Sequence, residues 1–180
     1  MSRSFVLRES VDEKKVGAGN VIRREEDRAF AASLDFLASK ARSRLETVKY
    51  LSRKGFSGRA AADAVGKLEH YGYLNDEEYA RMVVDSRVRL NPRGVPALRG
   101  ELSSKGVDER TIDKAVQGID ERECARLAVE RGLYRWRGDD RRSFFRKVMA
   151  FLGRRGFPYD VASEVCNEAW ESVCGNSEEG

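Results

Sequence analysis

Chemistry in this chain has few residues to work with. His70 is the only histidine in 180 residues, so neither a histidine-based metal site nor a Ser-His-Asp relay can readily be assembled. Beside Tyr71 on a helix, it is expected at the surface. Cys124, Cys166 and Cys174 show no Cys-x-x-Cys spacing, and two of them fall at apolar helix positions. They read as buried, reduced thiols rather than metal ligands or a disulfide. The acid pairs Asp76-Glu77 and Asp139-Asp140 are of types that bind a metal or exchange protons. Both stand where a helix starts, and carboxylates favour that end of the helix dipole, so a structural role explains them better.

What remains is charge. The 34 Lys and Arg outnumber the 30 Asp and Glu by only four, yet they are bunched. From Lys40 to Arg59 there are seven bases (Lys40, Arg42, Arg44, Lys49, Arg53, Lys54, Arg59) against Glu46 alone. Arg81, Arg87, Arg89, Arg93 and Arg99 face only Asp85 within their stretch, and the nine bases from Arg131 to Arg155, including Arg141, Arg142, Arg146 and Lys147, face only Asp139 and Asp140. From Gly156 onward there is no Lys or Arg. A near-neutral total can therefore hide a basic surface that engages a polyanion. Taken singly, each arginine is better explained by a solvated helix face with weak ion pairs; the three-fold rhythm as a whole favours a binding surface.

The elements that position these charges are written as a repeat. Leu51-Ser52-Arg53-Lys54-Gly55-Phe56, Leu102-Ser103-Ser104-Lys105-Gly106-Val107 and Leu152-Gly153-Arg154-Arg155-Gly156-Phe157 recur at a period of about fifty residues. Cations before a glycine suit the carbonyl end of a helix, and glycine takes the left-handed backbone that stops it. Ser57, Asp108 and Pro158 then suit the start of another helix. Each phrase predicts a tight helix–turn–helix corner.

Read in order, residues 1–26 form a flexible arm with a short strand from Ser4 to Leu7. A helix from about Glu26 carries Phe30, Leu34, Leu37, Ala38 and Ala41 inward, followed by Ser43 to Lys54 with Val48 and Leu51, and Ser57 to Tyr71 with Ala61, Ala64, Val65 and Leu68. The first repeat is 27–72. In the second, 73–119, Asn75 and Glu78 form a capping-box pattern. Its first helix presents Tyr79, Met82, Val83 and Leu90, and its later ones Leu98, Leu102, Ile112, Ala115 and Val116. The third, 120–174, echoes Tyr79-Ala80-Arg81 as Cys124-Ala125-Arg126, but is five residues longer before its corner, near Tyr134 to Asp140. That excess predicts a longer first helix or a longer connection, and 175–180 is a polar tail. The fold class is all-α: three tandem three-helix repeats in an elongated, curved array, with basic second helices along one side and acidic third helices along another. Tyr134 and Trp136, among Arg131, Arg135 and Arg137, are expected to anchor helices rather than stack on bases, and Trp170 is expected in the core.

No apolar run approaches the ~18 residues of a membrane span, and the start lacks a signal-peptide core, so a cytoplasmic protein that contacts no membrane is expected. The absence of heptads argues against a coiled coil, and a monomer is expected.

The junction Gly72-Tyr73-Leu74-Asn75-Asp76-x-x-Tyr79-Ala80, with Lys-Gly-apolar turns at 54–56 and 105–107, resembles the bacterial RecX regulatory proteins over residues 30–174. Arg155 departs from the pattern where the other two corners have Lys. The resemblance implies a modulator of the RecA recombinase that lies in the groove of the RecA–DNA filament. RecX proteins restrain its ATP hydrolysis, strand exchange and the co-protease activity that triggers LexA cleavage in the SOS response. It implies no catalytic residues, cofactor or metal. The expected function is thus a non-enzymatic filament regulator in recombination and DNA repair, whose partners are the RecA filament and single- and double-stranded DNA, bound weakly or in a RecA-dependent way. The candidate contacts are Arg81, Arg87, Arg89, Arg93, Arg99, Arg141, Arg142 and Arg146. The competing class is a helix-turn-helix DNA-binding protein acting without RecA, though the second helices lack an evident cluster suited to base edges.

Overall fold

The structure, a computed structural model, describes residues 23–175, with side chains through Val173. The expected strand at Ser4 to Leu7, most of the N-terminal arm, the tail beyond Gly175 and the Cys174 side chain lie outside the described residues. Among the described residues there are nine α-helices and no strand. They are α1 (23–38), α2 (Arg44–Arg53), α3 (Gly58–His70), α4 (Asp76–Leu90), α5 (Val95–Ser104), α6 (Glu109–Val116), α7 (Glu121–Gly132), α8 (Arg141–Arg154) and α9 (Tyr159–Gly175).

The three corners are one structure made three times. Gly55, Gly106 and Gly156 have φ of 85°, 79° and 77°. Their N–H groups donate to the carbonyls of Ser52, Ser103 and Gly153 at 2.9–3.0 Å, and the N–H groups of Phe56, Val107 and Phe157 donate to those of Leu51, Leu102 and Leu152 at 3.2 Å. This is the Schellman pattern, which satisfies carbonyls that a helix end would leave orphaned. The three leucines are fully buried, each held by its own helix and by the residue folding back over it. The next helix starts on a side-chain cap at two corners: Ser57 accepts from the Ala60 N–H and Asp108 from the Thr111 N–H.

The chain divides into two compact units, between Asp76 and Glu77. In the first, α1 to α3 enclose Ala29, Leu51, Ala60, Ala61, Ala64, Val65, Leu68 and Leu74. The inward face of α1 differs from the expected stripe. Ala29 and Ser33 are fully buried, Phe30, Leu34 and Leu37 pack at the margin, and Ala38 and Ala41 are exposed. Small residues four apart let helices approach closely, and Ser33 satisfies its hydroxyl on the Phe30 carbonyl at 2.7 Å. On α2 the buried partner of Leu51 is Thr47, its hydroxyl donating to the Ser43 carbonyl at 3.0 Å. The first helix is already formed at residue 23, ahead of the expected start. Its Glu25 accepts from the Ser57 N–H and hydroxyl at 2.8 and 2.9 Å, and Glu26 pairs with Arg59 at 3.3 Å.

In the second unit, two clusters are fused. One comprises Tyr79, Ala80, Val84, Leu98, Leu102, Val107, Ile112 and Val116; the other is built on Phe144, Val148, Leu152, Val129, Val165 and Cys166, and Val88 and Ile119 pack against both. Met82 and Leu90, expected inward, are 46% and 76% exposed. Successive helical residues turn by about 100°, which sets Met82 opposite the Ala80–Val84 stripe, while Leu90 is the last residue of its helix. The five extra residues of the third repeat form a connection: a 3-10 turn over Leu133–Arg135 places Trp136 in the core, edge-on to Phe144 and Phe151. Trp136 therefore anchors as expected, whereas Tyr134 is 72% exposed. Trp170 packs against the same core, 5.2 Å from Phe144 between ring centroids.

The two triplets of this unit are clasped at the start of α5. Gly94 offers no side-chain cap, so Glu121 of α7 accepts from the Val95 N–H at 2.6 Å and the Arg155 carbonyl accepts from the Gly94 N–H at 3.0 Å. A Cβ on Gly94 would lie 2.2 Å from the Gly156 carbonyl oxygen. Here only glycines allow the two backbones to meet.

Candidate nucleic-acid interface

The eight arginines singled out by charge divide by what their guanidinium groups meet. Arg87 grips Glu101 with Nε at 3.0 Å and Nη2 at 2.6 Å, and Arg93 adds a third contact at 3.3 Å. Arg99 lies between Glu109 and Asp113 of α6. These three are largely neutralised inside the α4–α5–α6 triplet, where they staple helices together. Arg81, Arg89, Arg142 and Arg146 are exposed and have no carboxylate partner among the described residues. Arg141 rests over the Phe145 ring at 5.5 Å.

The densest open charge is on α8. Its sequence contains no acid, and Asp140 caps its start by accepting from the N–H groups of Arg142 and Ser143 at 3.0 and 3.2 Å. Phe144, Val148 and Leu152 face the core, which turns Arg142, Arg146, Ala150, Gly153 and Arg154 to solvent. Only Lys147 is diverted, to Asp139 at 2.6 Å. The expected placement of bases on every second helix does not hold in the middle triplet: α5 carries Arg99 alone, while Arg81, Arg87 and Arg89 are on α4.

The first unit has a basic feature that residue counting did not resolve. Phe36 and Tyr50 stack face to face at 4.0 Å, with Arg42 over Phe36 at 4.3 Å and Lys54 over Tyr50 at 5.7 Å. Lys49 and Arg53 are exposed on α2 with no carboxylate partner among the described residues. The signal available in the sequence was two aromatic residues, each followed by a base one or two helical turns later.

The residues considered for catalysis are occupied otherwise. Asp76 accepts from the Arg44 N–H at 2.8 Å, and Glu77 lies 3.6 Å from Lys114. His70 is exposed against Tyr71, at 5.2 Å between centroids. Cys124 and Cys166 are free and buried, and burial pushes the Cys166 thiol up to about 11. Among the described residues no group of three or more His, Cys, Asp or Glu is placed to hold a metal ion, and no helix is long and apolar enough to cross a membrane. An open groove of about 330 Å³ between α4, α6 and α7 is rimmed by Asp85, Asp120 and Glu123 with Arg89 as its one base, a net negative charge that does not favour a polyanion inside it.

Glu101 carries a pH signature. Hydrogen bonds from Arg87 first, and then the charges of Arg87, Arg93 and Lys105, outweigh desolvation and hold its carboxyl below the ordinary 4.5. A depressed folded value means stability that is present above pH 4.5 and lost as pH falls through the folded value. Glu101→Gln is expected to lower stability at pH 7 by about 1–3 kcal/mol and to flatten its fall in acid. Urea denaturation from about pH 7 to 3 checks both.

Models of the first, second and third three-helix domains of RecX match residues 29–68, 75–116 and 120–166. The regulatory protein RecX of Amycolatopsis mediterranei is 34% identical over 137 residues, covering 74% of this chain and 78% of that protein. That of Mycolicibacterium vanbaalenii is 36% identical over 149 residues, covering 77% and 80%. The Bacillus subtilis protein is 31% identical, but the match spans only 56% of its length. The crystal structure of RecX from Lactobacillus salivarius superposes with a TM-score of 0.70 at 23% identity, over 82% of this chain and 97% of that one. A crystal structure of another regulatory protein RecX gives 0.74 at 23% identity, over 86% and 77%. The structures support the fold, while the three consecutive domain matches and the sequence identities carry the lineage: the chain belongs to the RecX family of regulatory proteins.

Proposed function

We propose that this protein is a non-enzymatic regulator that binds the RecA–DNA filament and restrains its ATP hydrolysis, strand exchange and co-protease activity in recombination and SOS repair. It acts in the cytoplasm as a monomer. The observation that carries the reading is the acid-free, solvent-facing side of α8 in a member of this family. Arg141, Arg142 and Arg146 there, with Arg81 and Arg89 on α4, are the proposed contacts. Arg87, Arg93 and Arg99 support the surface through the carboxylates they hold. Exposed guanidinium groups without internal counter-charges suit phosphates, which they meet in a planar, two-point fashion.

The test is ATP hydrolysis by the RecA of the same organism on single-stranded DNA as the protein is titrated in. Hydrolysis is expected to fall with the protein well below one per RecA monomer, as occupancy of a filament groove or end requires. Tight binding to bare DNA with RecA indifferent would overturn this reading in favour of a DNA-binding protein that acts alone.

A further inference from the structure

A second cationic site lies where the third triplet meets the end of α4. Arg131 at the end of α7 donates from Nη2 to the Arg89 carbonyl at 2.6 Å, and Arg155 donates from Nη1 to the Pro92 carbonyl at 3.0 Å and to the Asn91 side-chain oxygen. Two guanidinium groups from the third triplet therefore land on one short stretch of the second. Arg135, in the 3-10 turn, donates from Nε to the Tyr134 hydroxyl at 3.2 Å and lies 5.4 Å from that ring's centroid. Arg155 itself is half-buried, 4.4 Å over Phe151. Its proton affinity is lowered by burial and then by the positive charges of Arg93 and Arg135, so no carboxylate offsets the charge that Arg155 meets there.

What these groups touch differs from what the helix-stapling arginines touch. Arg87, Arg99, Arg122 and Arg126 all end on carboxylates. Arg131, Arg135 and Arg155 end on carbonyls, an amide and a phenol, none of which cancels charge. Glu101, the carboxylate that Arg93 meets, is already shared with Arg87. Each guanidinium has five N–H donors, so donors remain after these bonds, and like charges held together favour an anion between them. The margin is aromatic and apolar, with Tyr134 72% and Leu90 76% exposed.

We propose that Arg131 and Arg155, gathered on the 89–92 stretch, together with Arg135 beside Tyr134, clamp a backbone phosphate of single-stranded DNA, while Tyr134 takes the adjacent base on its free face. A duplex offers the phosphate but withholds the base face, so the aromatic margin selects the single strand. The proposal rests on the reading that the protein works on a DNA filament, and it adds which strand form is held and where.

The test is fluorescence anisotropy of the full chain with a labelled oligothymidylate and with a duplex of equal length, across a salt series. Arg131→Gln combined with Arg135→Gln is expected to weaken single-strand binding at least ~10-fold and to reduce the salt slope by about 0.7 for each phosphate no longer held. Tyr134→Ala, an exposed position, is expected to cost about 10-fold on the single strand and nothing on the duplex. Arg155 is left intact because it holds the two triplets together, and circular dichroism checks the helices of each variant. Unchanged single-strand affinity in the double variant, with Arg142→Glu and Arg146→Glu still weakening binding, overturns the clamp and leaves the filament reading standing. Failure of every variant to weaken binding to DNA or to the filament overturns both. Equal losses on single strand and duplex, with Tyr134→Ala silent, overturn the single-strand selection. No measurable binding of the unmutated protein to the oligonucleotide overturns the clamp.

Discussion

Gly156→Ala is expected to destabilise the protein by about 2–5 kcal/mol, whereas Gly55→Ala, the equivalent position of the first corner, should lose only about 1–2 kcal/mol. Both glycines have a left-handed backbone, at φ 77° and 85°, so both substitutions carry the steric penalty of a side chain there. They differ in what lies beyond. A Cβ on Gly55 meets nothing within 4 Å, whereas one on Gly156 comes within 2.5 Å of the Ala97 Cβ and 3.0 Å of its backbone nitrogen. Backbone cannot yield as a flexible side chain can, so the third corner must move off α5. That motion also strains the Gly94–Arg155 hydrogen bond. Urea denaturation followed by tryptophan fluorescence and circular dichroism measures the two losses, since Trp136 and Trp170 both lie on the core that Gly156 closes. Equal losses would mean that the contact with Ala97 has no energetic weight.

Reversing Arg142 and Arg146 to Glu is expected to weaken filament binding by about a hundredfold while leaving helicity and melting temperature nearly unchanged. Two reversals shift the local charge by four units, and a unit contact is worth about 1 kcal/mol in water; allowing for incomplete contact leaves a loss of about 2–4 kcal/mol. Neither side chain has a carboxylate to lose, and an acid at position 142 lies in the first turn of α8, where the dipole favours it. Arg99→Glu should show the reverse pattern. It would place a third carboxylate beside Glu109 and Asp113, lowering stability with little direct effect on binding. Filament binding by anisotropy, paired with thermal melts, separates the two classes. Weak binding in the Arg99 variant at full stability would return that residue to the contact surface.

This division of the arginines shows where the sequence is informative and where it is silent. Helices, corners and triplets are legible because their determinants are local. A Schellman corner needs a leucine, a glycine about one helical turn later and an apolar residue following, and the hydrogen bonds that define it close within that short stretch of chain. The inward residues of α3, α5 and α6 follow from spacing for the same reason. Family membership is legible too, because the Gly72 to Ala80 junction and the repeated corners are patterns of residues. Which charges are free is not a local property. Arg87 meets Glu101 across 14 positions, Arg99 meets Asp113 across 14, and Arg155 reaches Asn91 across 64. A run of five arginines looks uniformly basic along the chain, yet three of them are neutralised in space.

The chain's own sequence thus determined the all-helical class, the three corners and the RecX lineage, because each depends on residues near one another along the backbone. Tertiary structure alone decided that Arg131 and Arg155 meet on the 89–92 stretch, that Tyr134 stays exposed while Trp136 is buried, and that the outer face of α8 keeps its charge. The reason is physical: the strength of a charge or a ring as a contact depends on what it faces within a few ångströms, and those neighbours come from other helices.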